Sequence, residues 1–394
     1  MADLKFIKPD VQEKTAACCG QTQGSLQAPD EVSCETCLPP QEKDRPTWMT
    51  GTLTTVAGVI PIVSTDFTAS DYWDHVRCRI SAFRNNHTVN PGLYAVGAPD
   101  RNSDVLVSAN YKLSFDALRK ALKGLNIWVL VLDTKGINVW CAAGKGTFGT
   151  DELIRIISLT KLSRVVDHRR IIVPQLGAPG TSAHKVKKAS GFKVCYGPVR
   201  AEDIQAYIAA GYKATRAMRT ITFPLLDRLI LTPMEINPAM KKYYPLYALI
   251  MLAIFGLQPS GIIFRDALVG GSLFLLLGLI SVLAGALVTP ALLPFIPFRS
   301  FAVKGWITGM LSVFLATKFI PAFGHLNTTL FIFTYLFFPL ASSYVALQFT
   351  GSTTFTGMSG VKRELKISIP LYIFGLFVCL ILLIIYKLGE WRVL

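Results

Sequence analysis

Asn126-Ile127-Trp128-Val129-Leu130-Val131-Leu132-Asp133, followed after one turn by Asn138-Val139-Trp140-Cys141-Ala142-Ala143-Gly144-Lys145, reads as a buried strand feeding a short helix. An unbroken apolar run of this length is what a parallel sheet buries on both faces. Asn138 has the side chain of an N-cap, which makes Cys141 the third helical residue. There the thiol lies near unsatisfied amide N–H groups and the positive end of the helix dipole, an environment that favours thiolate. Ala142, Ala143 and Gly144 leave little bulk beside the sulfur. A thiolate with a flat, open approach suits a soft metal centre or a large planar ligand. On spacing alone, a small buried core cysteine is the commoner reading of such a residue.

Outward from this pair, residues 46–235 alternate strand and helix patterns. Val105–Ser108 reads as a strand, with Ser114 as the cap of a helix to about Lys123. Thr150 opens a helix to about Lys161, and Arg170–Pro174 forms a strand. The turn Gly177-Ala178-Pro179-Gly180-Thr181-Ser182 and a Lys-rich helix come next. Lys193–Tyr196 and Ala201–Ala210 add a last strand and helix. The alternation predicts an α/β, doubly wound, Rossmann-like parallel sheet. Ligands on such sheets bind at the carboxyl ends of strands, where Cys141 and the Gly177–Ser182 turn would share one crevice. Glycine turns before a helix also expose backbone N–H groups to anions, although Gly and Pro make ordinary turns as well.

The remainder, 236–394, is apolar. Five segments of near-spanning length run approximately Tyr243–Phe264, Ala267–Thr289, Phe301–Phe319, Thr328–Phe349 and Ile367–Leu388, which predicts an all-α transmembrane domain of five helices. Placing the α/β domain in the cytoplasm puts Lys241, Lys242, Arg299, Lys304, Lys362, Arg363 and Lys366 inside. Arg265, Lys318, Lys387 and Arg392 then lie outside, and seven against four favours this orientation in a cytoplasmic membrane. No carboxylate sits mid-span, so anchoring is the simpler account than transport, and Cys379 in the last span reads as packing.

The 394 residues are 51% hydrophobic and 16% charged, with a net charge of +15, so the basic balance falls on a half-membrane chain. It fits cytoplasmic retention and attraction to membrane lipid; with no basic patch interleaved with aromatics, no nucleic-acid partner is expected. Residues 1–45 read as a flexible tail, without the basic start and apolar core of a secretory signal. The tail holds Cys18, Cys19, Cys34 and Cys37 among eight cysteines. These could bind mercury or another soft metal, or be adventitious, since no further CxxC or His completes a zinc pattern.

The run GINVWCAAGKGTFGT, Gly136 to Thr150, resembles the cap-helix motif of corrinoid-binding domains. Pro91–Gly97 and Val107–Asp116 resemble the same pattern, and the likeness spans roughly residues 50–235. That family includes the large subunit of the corrinoid iron–sulfur protein of the acetyl-CoA pathway. It also includes the membrane-bound corrinoid protein of microbial mercury methylation, which alone shares a membrane tail and a cysteine at the position of Cys141. The resemblance implies a base-off, cobalamin-type corrinoid whose cobalt takes Cys141 as lower axial ligand, with Asn138 to Lys145 (Val139, Trp140, Ala142, Ala143 and Gly144 between) against the cofactor. It gives Gly177, Gly180 and Thr181 to the nucleotide tail's phosphate. Asn110 and Thr134 fall to the ring amides, or serve as loop caps; Lys145 pairs with a phosphate or favours the helix C-terminus. A thiolate donor enriches cobalt in electrons, as axial thiolate does haem iron. This implies a methyl group able to leave as a carbanion or radical equivalent to the electrophile Hg(II), forming methylmercury. It further implies a ferredoxin-like iron–sulfur reductant and a folate-linked methyl donor enzyme. Other readings of the chain are a membrane-anchored methyl carrier of one-carbon metabolism, or a non-enzymatic membrane protein binding a nucleotide. The last lacks the GxGxxG or P-loop it would need.

Overall fold

A computed structural model describes residues 46–352 and 358–391. Its first half is a seven-stranded sheet in the order β1-β2-β3-β5-β4-β6-β7. The strands are β1 (Met49–Thr55), β2 (Gly58–Val63), β3 (Gly92–Val96), β4 (Val105–Ala109), β5 (Ile127–Leu132), β6 (Arg170–Val173) and β7 (Lys193–Tyr196). Helices α1 (Ala69–Ile80), α2 (Lys112–Ala121), α3 (Val139–Lys145), α4 (Thr150–Leu159), α5 (Leu162–Val165), α6 (Ala183–Ser190) and α7 (Ile204–Ala209) are threaded between and after them.

The strand at Ile127–Leu132 is buried at every position. Trp128, Leu130 and Leu132 pack towards α3, α4 and α6. Ile127, Val129 and Val131 face the opposite layer, with Phe115 and Leu118 of α2 and Tyr207 of α7. Period-two alternation with both faces covered explains why the run carries no polar residue.

The sheet is mixed, however, where a parallel one was expected. β4 runs parallel to β5 and β6, and β6 to β7. β3 pairs antiparallel with β5, from Gly92 against Val131 to Val96 against Ile127. β1 and β2 form an antiparallel hairpin at the edge. Strand direction is set by the connections, and an apolar five-residue run such as β3 carries no mark of it. Helix α2 also starts earlier than its expected cap: Tyr111 occupies the N-cap position without a side-chain bond, and Ser114 lies inside. The expected helix at Ala201 opens as a 3₁₀ turn, Ala201–Asp203, before α7.

After the short α8 (Arg216–Arg219), α9 (Leu225–Pro238) continues through a π-helical turn into α10 (Tyr244–Gly256). α10 stops after 13 residues, and a small hairpin of β8 (Leu257–Gln258) and β9 (Gly261–Ile262) follows. The first expected span is therefore cut short: Pro259 and Gly261, the latter at φ +119°, turn the chain where the hydropathy continues. Beyond it lie α11 (Phe264–Leu283), α12 (Thr289–Ala291), α13 (Phe301–Phe319), α14 (Thr328–Ser352) and α15 (Met358–Glu390). Among the described residues, three helical stretches are long and apolar enough to cross a membrane: Phe264–Ala291, Thr328–Thr350 and Ser359–Glu390. α13 has the expected bounds but contains Lys304 and Lys318. Cys379 is buried in the helical core.

α9 ties the two halves together. Arg228 is buried and donates to Pro290 O and Ala291 O at 3.0 and 2.9 Å. On the sheet side, Asn237 Nδ2 donates to Ile80 O of α1, and Arg200 pairs with Asp227 at 3.0 Å.

Candidate functional site

The turn between β5 and α3 is built around Asn110, at the end of β4. Asn110 Oδ1 accepts from Thr134 N (3.0 Å), Thr134 Oγ1 (2.7 Å) and Gly136 N (3.0 Å), and its Nδ2 donates to Asp133 Oδ1 (3.2 Å). Thr134 is fully buried and Asn110 nearly so. The structure therefore places both as a clamp on the turn. Gly136 adopts φ +68°, and a Cβ there would lie 2.9 Å from Thr88 Cγ2, so this left-handed, close-packed position requires glycine.

Asn138 then caps α3 as expected, its Oδ1 accepting from Cys141 N at 2.9 Å. Gly146 ends the helix in the left-handed conformation. Val139, Ala142 and Ala143 face the core. Cys141 is half-buried, while Gly144 and Lys145, one turn on, are exposed. Positions i, i+3 and i+4 share a helix face, so the sulfur stands at the head of an outward strip whose next member has no side chain. Trp140 is half-buried and, with Asn138 and Val139, borders a cavity of about 290 Å³.

That cavity lies over the carboxyl ends of β4 and β6, bounded also by Ser108, Ser114, Pro174 and Leu176. It is where a doubly wound sheet binds ligands. Ser108 was not singled out by sequence and Ser114 was read only as a helix cap; for Ser108 the available mark was a serine inside the otherwise apolar strand β4.

The turn after β6, Gln175–Gly180, packs directly on α3. A Cβ on Gly177 would strike the Phe148 ring. One on Gly180 would strike Phe148 O and lie 3.1 Å from Ala143 Cα. These glycines allow close approach of turn to helix. The backbone N–H groups of Gly177 and Thr181 donate to Pro174 O and Ala178 O, at 2.8 and 3.3 Å, within the turn itself. Thr181 is buried, and its Oγ1 has no hydrogen-bond partner among the described residues.

The electrostatics of Cys141 differ from the expectation of a favoured thiolate. Burial pushes its thiol up, and the opposing pull of Lys145, the Asn138 hydrogen bond and Arg84 is smaller. Desolvation penalises the charged form more than a seven-residue helix and two cations repay. Arg84, on the turn Ala82–Asn85, was not anticipated. It and Arg79 both approach Met234 Sδ of α9, at 3.6 and 3.7 Å, and the charge of Arg84 reaches the Cys141 thiol.

Among the described residues no cluster of three or more His, Cys, Asp or Glu could hold a metal ion. Cys141 would be a single protein donor; Cys18, Cys19, Cys34 and Cys37 lie outside the described residues. One soft donor beside a flat strip, an orphaned buried hydroxyl at Thr181 and an adjoining cavity fit a corrinoid, whose macrocycle supplies the other metal ligands itself. The cavity, at the lower end of ligand-site volumes, is too small for such a ring.

Comparison with known proteins points the same way. Residues 80–208 match the family model described as CdhD, CO dehydrogenase/acetyl-CoA synthase delta subunit. The chain is 30% identical over 134 residues to the acetyl-CoA decarbonylase/synthase complex subunit gamma of Methanopyrus kandleri, covering 34% of this chain and 29% of that one. It is 34% identical over 104 residues to the subunit gamma of Methanocaldococcus jannaschii (26% and 21% covered). With the corrinoid/iron–sulfur protein large subunit of Moorella thermoacetica it shares 29% identity over 120 residues (30% and 26%). The chain thus spans less than a third of the length of these relatives, and the helices from α9 onward lie beyond the family match. Within its α/β half, residues 80–208 are thus similar to the CdhD family and to corrinoid/iron–sulfur protein subunits.

Proposed function

We propose that this chain is a membrane-anchored corrinoid protein that transfers a methyl group to Hg(II), with the Cys141 sulfur as lower axial donor to cobalt. The observation that carries the reading is the position of Cys141: half-buried at the third residue of a small-residue helix, at the head of an exposed strip. When bound, the corrinoid supplies a cobalt centre that takes up a methyl group and gives it to an acceptor. Cys141 would hold the cobalt through its sulfur after losing the thiol proton, and as a soft donor it would enrich the metal in electrons. Asn138 holds the sulfur's backbone in place, and Lys145 and Arg84 offer positive charge to the cofactor's phosphate or to the thiolate. Thr181 Oγ1 and the cavity beside Trp140 receive a side arm.

Electrons for each cycle come from a ferredoxin-like iron–sulfur protein, and the methyl from a folate-linked donor enzyme. In this reading α10 and α13 accompany the three long apolar stretches, giving five membrane segments with the α/β domain on the cytoplasmic side. A second reading is favoured by the relatives: the same cofactor site serving as a methyl carrier for acetyl-CoA assembly, with a one-carbon acceptor.

The test uses full-length protein in detergent, reconstituted with cobalamin. A cobalamin spectrum shifted in the wild type and reverting to water or base ligation in Cys141→Ala supports the axial thiolate; identical spectra refute it. Methylmercury formed from Hg(II) by the methylated wild type, and abolished in Cys141→Ala, supports the mercury reading. Spectral ligation without methylmercury leaves the one-carbon carrier.

A further inference from the structure

A second cavity lies in the helical half, remote from α3. It is a groove of about 1120 Å³ between α13, α14 and α15, at the end of the helices nearest the α/β domain. That end is identified by packing: Leu293, Phe301 and Phe349 cluster with Phe223 and Leu231, which flank or belong to α9. The groove has a polar mouth and an apolar trough. Arg299 and Arg363 stand exposed at the mouth, and among the described residues neither enters an ion pair. The carboxylate between them is already committed: Glu364 Oε1 accepts from Ser300 Oγ and from Ala302 N, both at 2.7 Å, holding the start of α13. The mouth therefore presents two cations and one carboxylate, the latter turned to the start of α13 by its hydrogen bonds.

One wall of the trough is the stripe Ile367, Leu371, Phe374 and Val378 of α15. At 1.5 Å per residue this stripe runs for ~16 Å, close to one leaflet of a hydrocarbon core ~30 Å thick. The trough closes where α15 touches α14: a Cβ on Gly375 would collide with Leu340, and Tyr372 Oη lies 2.8 Å from Ser343 Oγ. A cationic mouth over an apolar trough one leaflet deep has the shape and charge of a phospholipid's complement.

We propose that this groove binds one anionic glycerophospholipid of the leaflet facing the α/β domain, its phosphate between Arg299 and Arg363 and an acyl chain along Leu371, Phe374 and Val378. The proposal rests on the membrane reading above and is independent of the corrinoid. Because the mouth recognises charge and the trough recognises the chain, the two contributions are separable by substitution.

The full-length chain is first floated on phosphatidylcholine vesicles with and without phosphatidylglycerol. Failure to float on either overturns the membrane reading and this site with it. Detergent-solubilised protein is then titrated with each lipid, and bound lipid is counted by native mass spectrometry. One phosphatidylglycerol per chain is expected, held at least about tenfold more tightly than phosphatidylcholine. Removing one arginine, in Arg299→Gln or Arg363→Gln, weakens it about fivefold, and removing both about 25-fold, with flotation unchanged. Leu371→Trp, which fills the trough and leaves the charges, lowers retention of both lipids; it also serves if the arginine variants do not fold. Equal affinity for the two lipids, full retention of phosphatidylglycerol without the arginines, or an uncharged lipophile that phosphatidylglycerol does not displace would each overturn the proposal.

Discussion

Asn138→Ala removes the side-chain cap that starts the cysteine helix. In the wild type the 2.9 Å contact from Cys141 N to Asn138 Oδ1 satisfies one of the orphan donors of a helix only seven residues long. So short a helix has little stability of its own, and loss of a cap costs about 1 kcal/mol. If α3 opens locally, that cost appears as about fivefold faster amide exchange at Cys141 to Ala143, with the β5 amides unchanged. The Asn138 side chain also hydrogen-bonds the Cys141 thiol and pulls it down against the larger effect of burial, so the variant thiol rises further. Asn138→Asp separates the two roles: it keeps an acceptor and slow exchange, while its negative charge also raises the thiol. Hydrogen–deuterium exchange by mass spectrometry and the pH profile of alkylation, both on full-length protein, read the two effects. Exchange in Asn138→Ala within twofold of wild type would refute the view that this cap holds the sulfur in place.

The remaining predictions concern packing, protons and the buried charge cluster. Gly180→Ala, whose Cβ meets Phe148 O and Ala143, should cost about 1–3 kcal/mol by overpacking; an unaltered thermal midpoint would contradict the close fit of turn on helix. Because burial pushes the Cys141 thiol up, ligation to cobalt releases a proton at neutral pH. The spectral affinity for the thiolate-ligated state should then rise about tenfold per pH unit below the thiol pKa; a flat titration would count against it. Asp116 is 1% exposed; burial alone would raise it, but bonds from His75, Lys112 and Arg119 hold it at about 2. Its contribution is complete above the unfolded value of about 3.9 and disappears as pH falls through the folded value, about 2 kcal/mol in all. Denaturant unfolding of wild type and Asp116→Asn at pH 5 and pH 2.5 checks this, since the variant should lack that part of the acid loss.

The strand before Cys141 was legible because burial on both faces leaves an unmistakable apolar run, and its cap because Asn138 sits one residue before that helix begins. Strand direction was not legible. Gly92–Val96 is as apolar as a parallel strand, and nothing within five residues says that it runs against β5. The break at Gln258-Pro259-Ser260-Gly261 was overlooked because hydropathy averaged over a span outweighs a four-residue turn. At the site, Asn110 and Thr134 were read with a ligand role open, and the structure sets them in the turn. A side chain's partners are decided by chain segments far away in sequence, here residues 110 and 134–136. The thiol's direction of shift was misjudged for a related reason: the helix dipole is visible in sequence, whereas the desolvation that outweighs it comes from tertiary packing.

The helix α9 acts as a strut rather than a tether. With Arg228 locked to the carbonyls at Pro290 and Ala291, and Asn237 bonded to the end of α1, it has no slack at either end. α9 thus joins the end of α1, on the sheet side, to the helical half of the molecule. On the function proposed above, reductant, methyl donor and methyl acceptor would take turns at one window, each arriving by its own diffusion and leaving before the next can dock. The throughput of such an arrangement is governed by the crowding and residence times of its visitors, and shortening their stay accelerates turnover even when every chemical step is unchanged.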